Sequence, residues 1–442
     1  MTNDPKNEPA IVTGETQPKQ AGKIRDRWWW IAHSVWTDRM LTRLETSEPT
    51  TVWYGLWDKV IAPANLQAAF WAVWRNGGAP GADGQSVKQF DERGAAELAK
   101  LGAELRNKSY HRQPARRVWI PKPGSTERRP LGIPAVRDRT VEAALKQVLE
   151  PIFEHDFAEH SYGFRPGRGC REAVGRVDKL LAEGRAWCVE LDYKSYFDTI
   201  PHARLLGLVR QRVVDGSVLA LLEQSLKAGI LEGLKGWQPT EQGTPQGAVI
   251  SPLLANLYLN PLDHQMAGQG YEMVRYADDL VVLCQSWEEA ERALAELRHW
   301  SEEAGLTLHP TKTRIVHVPS EGFDFLGWHF CGGKKWPRQK SRQKLQEKLR
   351  PFTRRTNGRS FGEIVAQVNP ILRGWRNYFR DSYRTGLSGP DGWLRRRLRA
   401  MLRKREKRPG YGLSQADSQR WPNRWFAEHG LFSLEHGSCD YG

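Results

Sequence analysis

Residues 273–284 read MVRYADDLVVLC, two short apolar runs parted by the adjacent carboxylates Asp278 and Asp279. Runs of this length and β-branched character form core strands, so the stretch predicts a strand, a turn and a second strand. Side-by-side like charges repel, and burial disfavours the ionised form of both. A core hairpin therefore gains nothing from the pair unless a cation stands between them. Taken alone, the pair also reads as an ordinary solvated turn, since Asp-Asp is common there.

A third carboxylate bears on the choice. In RAWCVELDYKSYF (185–197) an apolar strand ends at Asp192, and YKSYFD follows. Two strands that each end in aspartate can hold acidic side chains face to face. That arrangement is stable with divalent cations between the carboxylates, and Mg²⁺ suits it because it takes a few carboxylates together with substrate phosphates. Two such ions are the apparatus of phosphoryl transfer. Asp192 by itself reads equally well as a helix N-cap.

The 442 residues, 39% hydrophobic, suffice for two or three domains with a substantial core. The formal charge of +15 points to a polyanionic partner. Its distribution is sharper: residues 334–408 hold 24 Lys and Arg against 5 Asp and Glu, and the remainder 42 against 46. The five cysteines form no C-x-x-C pair, which argues against a disulfide framework or a zinc ribbon. Without a long apolar run or a signal-peptide core, the chain is expected to be soluble and intracellular, with no membrane partner.

Residues 1–23 have the composition of a disordered tail. RDRWWWIAHSVWTDRMLTRLE is expected to form a short amphipathic helix whose tryptophans pack on a neighbour, the alternative being to stack on bases, and NLQAAFWAVWRNGG a second helix. A β-hairpin over RRVWIPKPGSTERRPLGIPAVRD has its tip at Lys122 to Arg129. Helices are expected at 138–154, through 202–233 and at 287–305, with strands at LTLHP, TRIVHV and FDFLGWHF. The basic tail reads as helical throughout, one face built from Leu345, Leu349, Phe352, Val365, Val368, Ile371, Leu372, Trp375, Trp393, Leu394 and Leu398. Strands interleaved with helices indicate an α/β (α+β) core.

LDYKSYFDTI, QGTPQGAVISPLLANLYL (242–259) and RYADD, in this order and spacing, resemble the right-hand palm of reverse transcriptases. IPKPGSTERRPLGIPAVRDR, HSYGFRPGRGC and LRGWRNYFR narrow the resemblance to the reverse transcriptase/maturases of bacterial group II introns, over about Trp53 to Arg408. The resemblance implies fingers and an N-terminal extension at 24–185, a palm at 186–333, a thumb or maturase domain at 334–410 and an extension at 411–442. It implies Asp192, Asp278 and Asp279 as catalytic residues and, with Tyr193, as ligands of two Mg²⁺ ions, Mn²⁺ being a substitute. Lys122 and Arg129 fall at the finger-hairpin grip on the incoming dNTP, Gln246 against the nucleotide and Lys312 near the pyrophosphate. Phe197 falls where an aromatic side chain excludes a ribonucleotide 2′-hydroxyl. Arg165 and Arg168 fall near template backbone, and Arg373, Arg376, Arg380, Arg395, Arg396 and Arg397 belong to the nucleic-acid-binding helices.

The implied function is RNA-directed DNA synthesis on the host intron RNA, with assistance to splicing and to intron mobility. The implied partners are group II intron RNA, an RNA template with its DNA primer, target DNA and dNTPs, and the implied place is the bacterial cytoplasm, at the nucleoid when bound to target DNA. The sequence departs from many members in showing no C-terminal endonuclease motif; His429 and His436 have no ligand partners and read as surface histidines. A non-catalytic RNA-binding splicing factor and a domesticated reverse transcriptase in defence or repair are the competing readings. A viral RNA polymerase fits less well with Phe197.

Overall fold

The computed structural model describes residues 24–48, 50–121, 128–383, 385–412 and 414–439. The polar tail and the hairpin tip with Lys122 lie outside the described residues. In chain order come α1 (Asp38–Glu45), α2 (Trp57–Val60), α3 (Pro63–Asn76), α4 (Val87–Glu92), α5 (Gly94–Arg106), β1 (Ala115–Pro121), β2 (Arg128–Ile133) and α6 (Val136–Glu154). Then follow α7 (Cys170–Ala182), β3 (Trp187–Leu191), α8 (Tyr196–Thr199), α9 (His202–Arg210), α10 (Gly216–Lys227), β4 (Ile230–Glu232), β5 (Gly236–Gln238) and α11 (Ser251–Gly268). The rest is β6 (Glu272–Tyr276), β7 (Asp279–Cys284), α12 (Trp287–Glu303), β8 (Arg314–His317), β9 (Phe323–Phe325), β10 (Trp328–Cys331) and β11 (Lys334–Pro337). Helices α13 (Gln339–Leu349), α14 (Phe361–Tyr378), α15 (Thr385–Arg405), α16 (Gln415–Arg420) and α17 (Asn423–Glu428) close the chain.

Two compact units emerge, each from separate stretches: the described residues up to 118, of 132–157 and of 201–258 form the first, and those of 119–131, 158–200 and from 259 onward the second. In the first, α6 packs on α3 and is buried on nearly every face. A helix so enclosed must neutralise its polar side chains locally. Tyr110 donates to Asp138 Oδ1 at 2.7 Å and Gln113 N–H to Oδ2 at 3.1 Å. Glu142 pairs with Arg112 and accepts from Val249 N–H at 2.8 Å, tying the TPQG loop to α6. The tryptophan-rich start is a helical turn at 24–27 followed separately by α1, not one helix. The break lets Trp28 donate to Glu45 at 3.0 Å while Trp36, wholly buried, donates to Gln147 O at 3.2 Å and meets Trp53 edge-on. Packing holds for these two, whereas Trp29 is exposed.

The second unit is built on an antiparallel sheet of order β6-β7-β3-β8. Helix α12 packs on β3 and β7, and α7 on β6 and β7. With helices against it, β7 buries Leu280 through Cys284 without alternation, which is why the stretch after Asp279 is apolar at every position. A second sheet, β11-β10-β9, leads into α13, α14 and α15, and these share one apolar core with α7 and part of the first sheet. All eleven apolar residues expected on the inner face of the basic tail lie in or against it.

Three local expectations give way. Residues 230–232 form strand β4, parallel to β1, rather than a helix end. LTLHP makes only an isolated bridge, Leu308 to Tyr193. The basic tail opens with β11, paired to β10 from Cys331↔Lys334 to Trp328↔Pro337; its lysines concealed a strand. Residues 414–439 also join the helical core: Trp421, Phe426, Leu431, Phe432 and Leu434 are buried there, and buried Asp391 accepts from Ser433 Oγ at 2.7 Å and Leu434 N–H at 3.0 Å.

Candidate active site

Strands β3 and β7 run antiparallel with Leu191 opposite Leu280. One step beyond that last pair, Asp192 follows the end of β3 and Asp279 begins β7, which continues the register with the two across from each other. Opposed residues in such a ladder have Cα atoms about 5 Å apart. Asp278 lies in the turn that joins β6 to β7, closed by the Tyr276↔Asp279 pair. Three carboxylates thus stand at one end of the sheet, Asp192 and Asp278 being 86 residues apart in sequence.

The turn is under constraint. Ala277 has φ +59°, and Asp278 is not among the positive-φ residues, which is the turn sense that favours glycine at the first central position. An alanine there costs about 1–2 kcal/mol and persists only if its surroundings fix it. Two features do so. Fully buried Arg275 donates through Nε to Asp263 Oδ1 at 2.7 Å, pairs through its terminal nitrogen with Oδ2, and donates to Ala277 O at 2.9 Å. The segment HSYGF (160–164) runs along β6: Arg275 N–H donates to His160 O at 3.0 Å and Tyr162 N–H to Arg275 O at 2.9 Å. A Cβ on Gly163 would fall 2.9 Å from the Tyr276 carbonyl carbon, so only glycine allows this approach. The backing of the turn by Arg275 and Asp263 went unread in the sequence, although Arg275 stands inside RYADD; its signal is a cation in an apolar strand, which needs a buried acid somewhere.

The electrostatics are those of an under-neutralised acidic site. Loss of hydration, then the Asp192 charge, raises Asp278, while its own main-chain N–H, Arg129 and Arg275 oppose this. Asp279 is pushed up to about 7, by loss of hydration and then by repulsion from Asp278. Its side chain is open to solvent, so repulsion between carboxylates is the cause that counts most there. Lys312 pairs with Asp192 across the gap, bringing one of the sequence candidates into the cluster. Among the described residues no three His, Cys, Asp or Glu side chains already converge as metal ligands. The donor set nevertheless fits a hard divalent ion: oxygens only, mutually repelling, with Lys312 the one cation in direct contact among the described residues. Tyr193 turns its phenol away toward Ser301 Oγ, 3.1 Å distant, which leaves its main-chain carbonyl as the oxygen to consider.

Phe197 is half-buried and sits edge-on against Tyr196, which leans on Tyr193 in turn, so an aromatic stack supports it beside Asp192. Arg129 is exposed on β2. Gln246 belongs to the first unit, where its carbonyl accepts from Gly132 N–H at 2.7 Å and positive φ at Gly243 and Gly247 shapes the loop around it. Arg168 is half-exposed, lying over Tyr162 and donating to Glu159 O, but Arg165 is buried and spends its guanidinium on Ala158 O and Ser161 O. Arg165 therefore braces the 158–165 loop and is not presented to a template. Arg395 is likewise drawn inward, to Asp391 and Ser433, which removes it from the cationic surface. Arg373, Arg380 and Arg396 are exposed, and Arg376 and Arg397 half-exposed. His429 stacks on Trp425 and His436 is exposed, away from any ligand cluster among the described residues.

An acidic sheet edge of this order, followed by a basic helical bundle, is the plan of a nucleic-acid polymerase, and residues 120–330 match the family model described as reverse transcriptase (RNA-dependent DNA polymerase). Residues 342–421 match the group II intron maturase-specific domain. The chain is 37% identical over 289 residues to Protein YkfC of Escherichia coli (strain K12), covering 56% of this chain and 74% of that protein. It is 41% identical over 169 residues to the group II intron-encoded protein LtrA of Lactococcus lactis subsp. cremoris, covering 38% of this chain and 28% of LtrA. Among solved structures, a partial Cas6-RT-Cas1–Cas2 complex is similar at 23% identity over 56% of this chain and 41% of that one, with a TM-score of 0.37. The protein is a reverse transcriptase with the fold of that polymerase class. More narrowly, it belongs to the bacterial group II intron reverse transcriptase/maturases, a metal-dependent, RNA-binding family. No helix among the described residues is long and apolar enough to cross a membrane.

Arg275→Lys keeps the charge but loses the forked contact to Asp263 and Ala277, so primer extension should fall on the order of 100-fold while RNA affinity is kept; filter binding and single-turnover extension report the two. A raised carboxyl favours the folded state while protonated and ceases to do so as pH climbs through the folded value. Metal-free protein should therefore lose stability between about pH 4 and 7 through Asp279, and Asp279→Asn should raise the melting temperature at pH 8 but not at pH 4.

Proposed function

We propose that the protein copies its host group II intron RNA into DNA and binds that RNA to assist splicing and intron mobility, in the cytoplasm and at the nucleoid when target DNA is engaged. The single observation that supports this reading is the β3–β7 register, whose last pair, Leu191 opposite Leu280, brings Asp192 to the sheet end that carries the Asp278–Asp279 turn. Asp192, Asp278 and Asp279, with the main-chain carbonyl of Tyr193, would hold two Mg²⁺ ions, Mn²⁺ being able to substitute. When bound, such ions supply the positive charge that lowers the pKa of a primer 3′-hydroxyl and stabilises the pyrophosphate that departs.

The chain's own residues supply the rest. Arg129, with its planar fork, and Lys122, as a point charge, grip the triphosphate of a dNTP. Phe197, backed by Tyr196, presses against the sugar where a 2′-hydroxyl would project. Gln246 lies against the nucleotide on a loop whose glycines allow close approach. Lys312 neutralises Asp192 at rest and, once displaced, can deliver a proton from Nζ to the leaving pyrophosphate. Arg168, Arg373, Arg376, Arg380, Arg396 and Arg397 hold template–primer, intron RNA and target DNA through phosphate contacts.

A splicing factor with a decayed palm is opposed by the intact acidic triplet, since unneutralised carboxylates cost stability without serving it. With Mg²⁺ on poly(rA)/oligo(dT), Asp278→Ala should reduce extension on the order of a thousandfold or more with RNA binding kept; near-normal extension by the variant would refute the ligand assignment. Phe197→Ala should raise ribonucleotide incorporation relative to dNTP use by on the order of 10- to 100-fold, read from alkali-labile sites in the product, and an unchanged ratio would remove the gate.

A further inference from the structure

The thumb carries a concavity of about 640 Å³ between the turn after α13, the middle of α15 and the loop that follows it. Its cations are Arg354, Arg355, Arg396 and Arg397, its aromatic rings are Trp393 and Tyr411, and no carboxylate lines it among the described residues. A solvated basic face does not need aromatic rings or fixed geometry, and this one has both.

Arg355, Arg397 and both rings are held, while Arg354 and Arg396 are exposed. Arg397 donates through Nε to Thr353 Oγ1 at 2.8 Å and lies over Trp393, which Arg350 also approaches. Trp393 is thus taken up in aligning guanidinium groups. Tyr411 differs: Arg355 lies over its ring at 4.7 Å, yet the residue is 71% exposed, so one face is backed and the other open. Its loop is pinned at both sides, because Arg355 donates to Gly410 O at 2.8 Å and a Cβ on Gly412 would fall 2.6 Å from Ala400 N on α15. Arg355 Nε is shielded from solvent and has no hydrogen-bond partner among the described residues. Burial and the Arg350 charge push Arg397 down, the direction expected where cations crowd without an anion.

A ring with one open face beside four guanidinium groups fits a flat π-system joined to phosphate. In a duplex the base faces are covered by their neighbours; an unpaired base offers one. We propose that this concavity is a subsite for a single unpaired nucleotide of bound RNA, its base stacked on the open face of Tyr411 and its flanking phosphates on Arg354, Arg355, Arg396 and Arg397. The proposal rests on the reading of the basic helices as an RNA surface and adds to it a preference for unpaired nucleotides.

The test uses the full-length protein and two RNA hairpins that differ by one bulged adenosine, with fluorescence anisotropy as readout. Wild type should bind the bulged hairpin about tenfold more tightly than the fully paired one, the size expected of one base–aromatic stack. Tyr411→Ala should erase that difference while still binding the paired hairpin, and Tyr411→Phe should keep it; near-ultraviolet circular dichroism checks that both variants are folded. Arg396→Ala should weaken both hairpins alike and reduce the salt slope by about one. Equal binding of the two hairpins by wild type, or a preference that survives in Tyr411→Ala, overturns the subsite while leaving the RNA surface standing. Poly-glutamate that displaces the bulged hairpin as effectively as RNA does would assign the concavity to acidic protein instead and overturn the proposal. Failure of wild type to bind either hairpin overturns the RNA surface itself.

Discussion

A fully buried guanidinium, Arg275, holds the turn that carries Asp278 and Asp279 in place. A charge taken out of water that completely costs several kcal/mol unless it is paired and hydrogen-bonded, and here it is both, to Asp263 on α11 and to the carbonyl of Ala277. The pair fixes a left-handed alanine at the head of β7, and that alanine sets where Asp278 and Asp279 stand. The acidic residues can therefore repel one another without opening the turn. Stability is conceded at the turn and recovered in the core beneath it, where β7 is buried along its length.

The same division appears in the helical part. Apolar residues of α13, α14 and α15 form one core with the C-terminal segment, and the arginines sort by depth rather than by sequence. Arg395 and Arg399 fall inward and are used up in binding Asp391, Trp421 O and Asn423, while Arg396 remains outside and Arg397 partly so. In a run such as RRRLR, a helical period of 3.6 sends neighbours to different faces, so a count of charges overstates the surface available to RNA. What remains is still strongly cationic, and it includes the pinned tyrosine loop.

Much of this was legible in the sequence. The apolar runs around Asp278 and Asp279, the strand ending at Asp192 and the periodic apolar residues of the tail all follow from burial patterns that operate within a few residues. Features that depend on a distant partner were not. Strand β11 looked helical because its lysines hide a pairing with β10, and the tryptophan-rich start looked like one helix because nothing local reveals that Trp28 and Trp36 face different neighbours. Arg165 resembled a template contact until its guanidinium was seen to brace its own loop.

By itself the sequence determined the chemistry available: which carboxylates, cations and aromatic rings exist, and that the strands bearing the acids must be buried. Only the tertiary structure decided which of them meet. Register between β3 and β7 places Asp192 across from Asp279, Lys312 arrives on Asp192 from 120 residues away, and burial decides which arginines are spent on the protein's own carbonyls and carboxylates. The reason is physical: side-chain type sets what an atom can do, whereas pairing across the sheet and depth in the core set what it is next to, and the latter are decided by the packing of the folded chain.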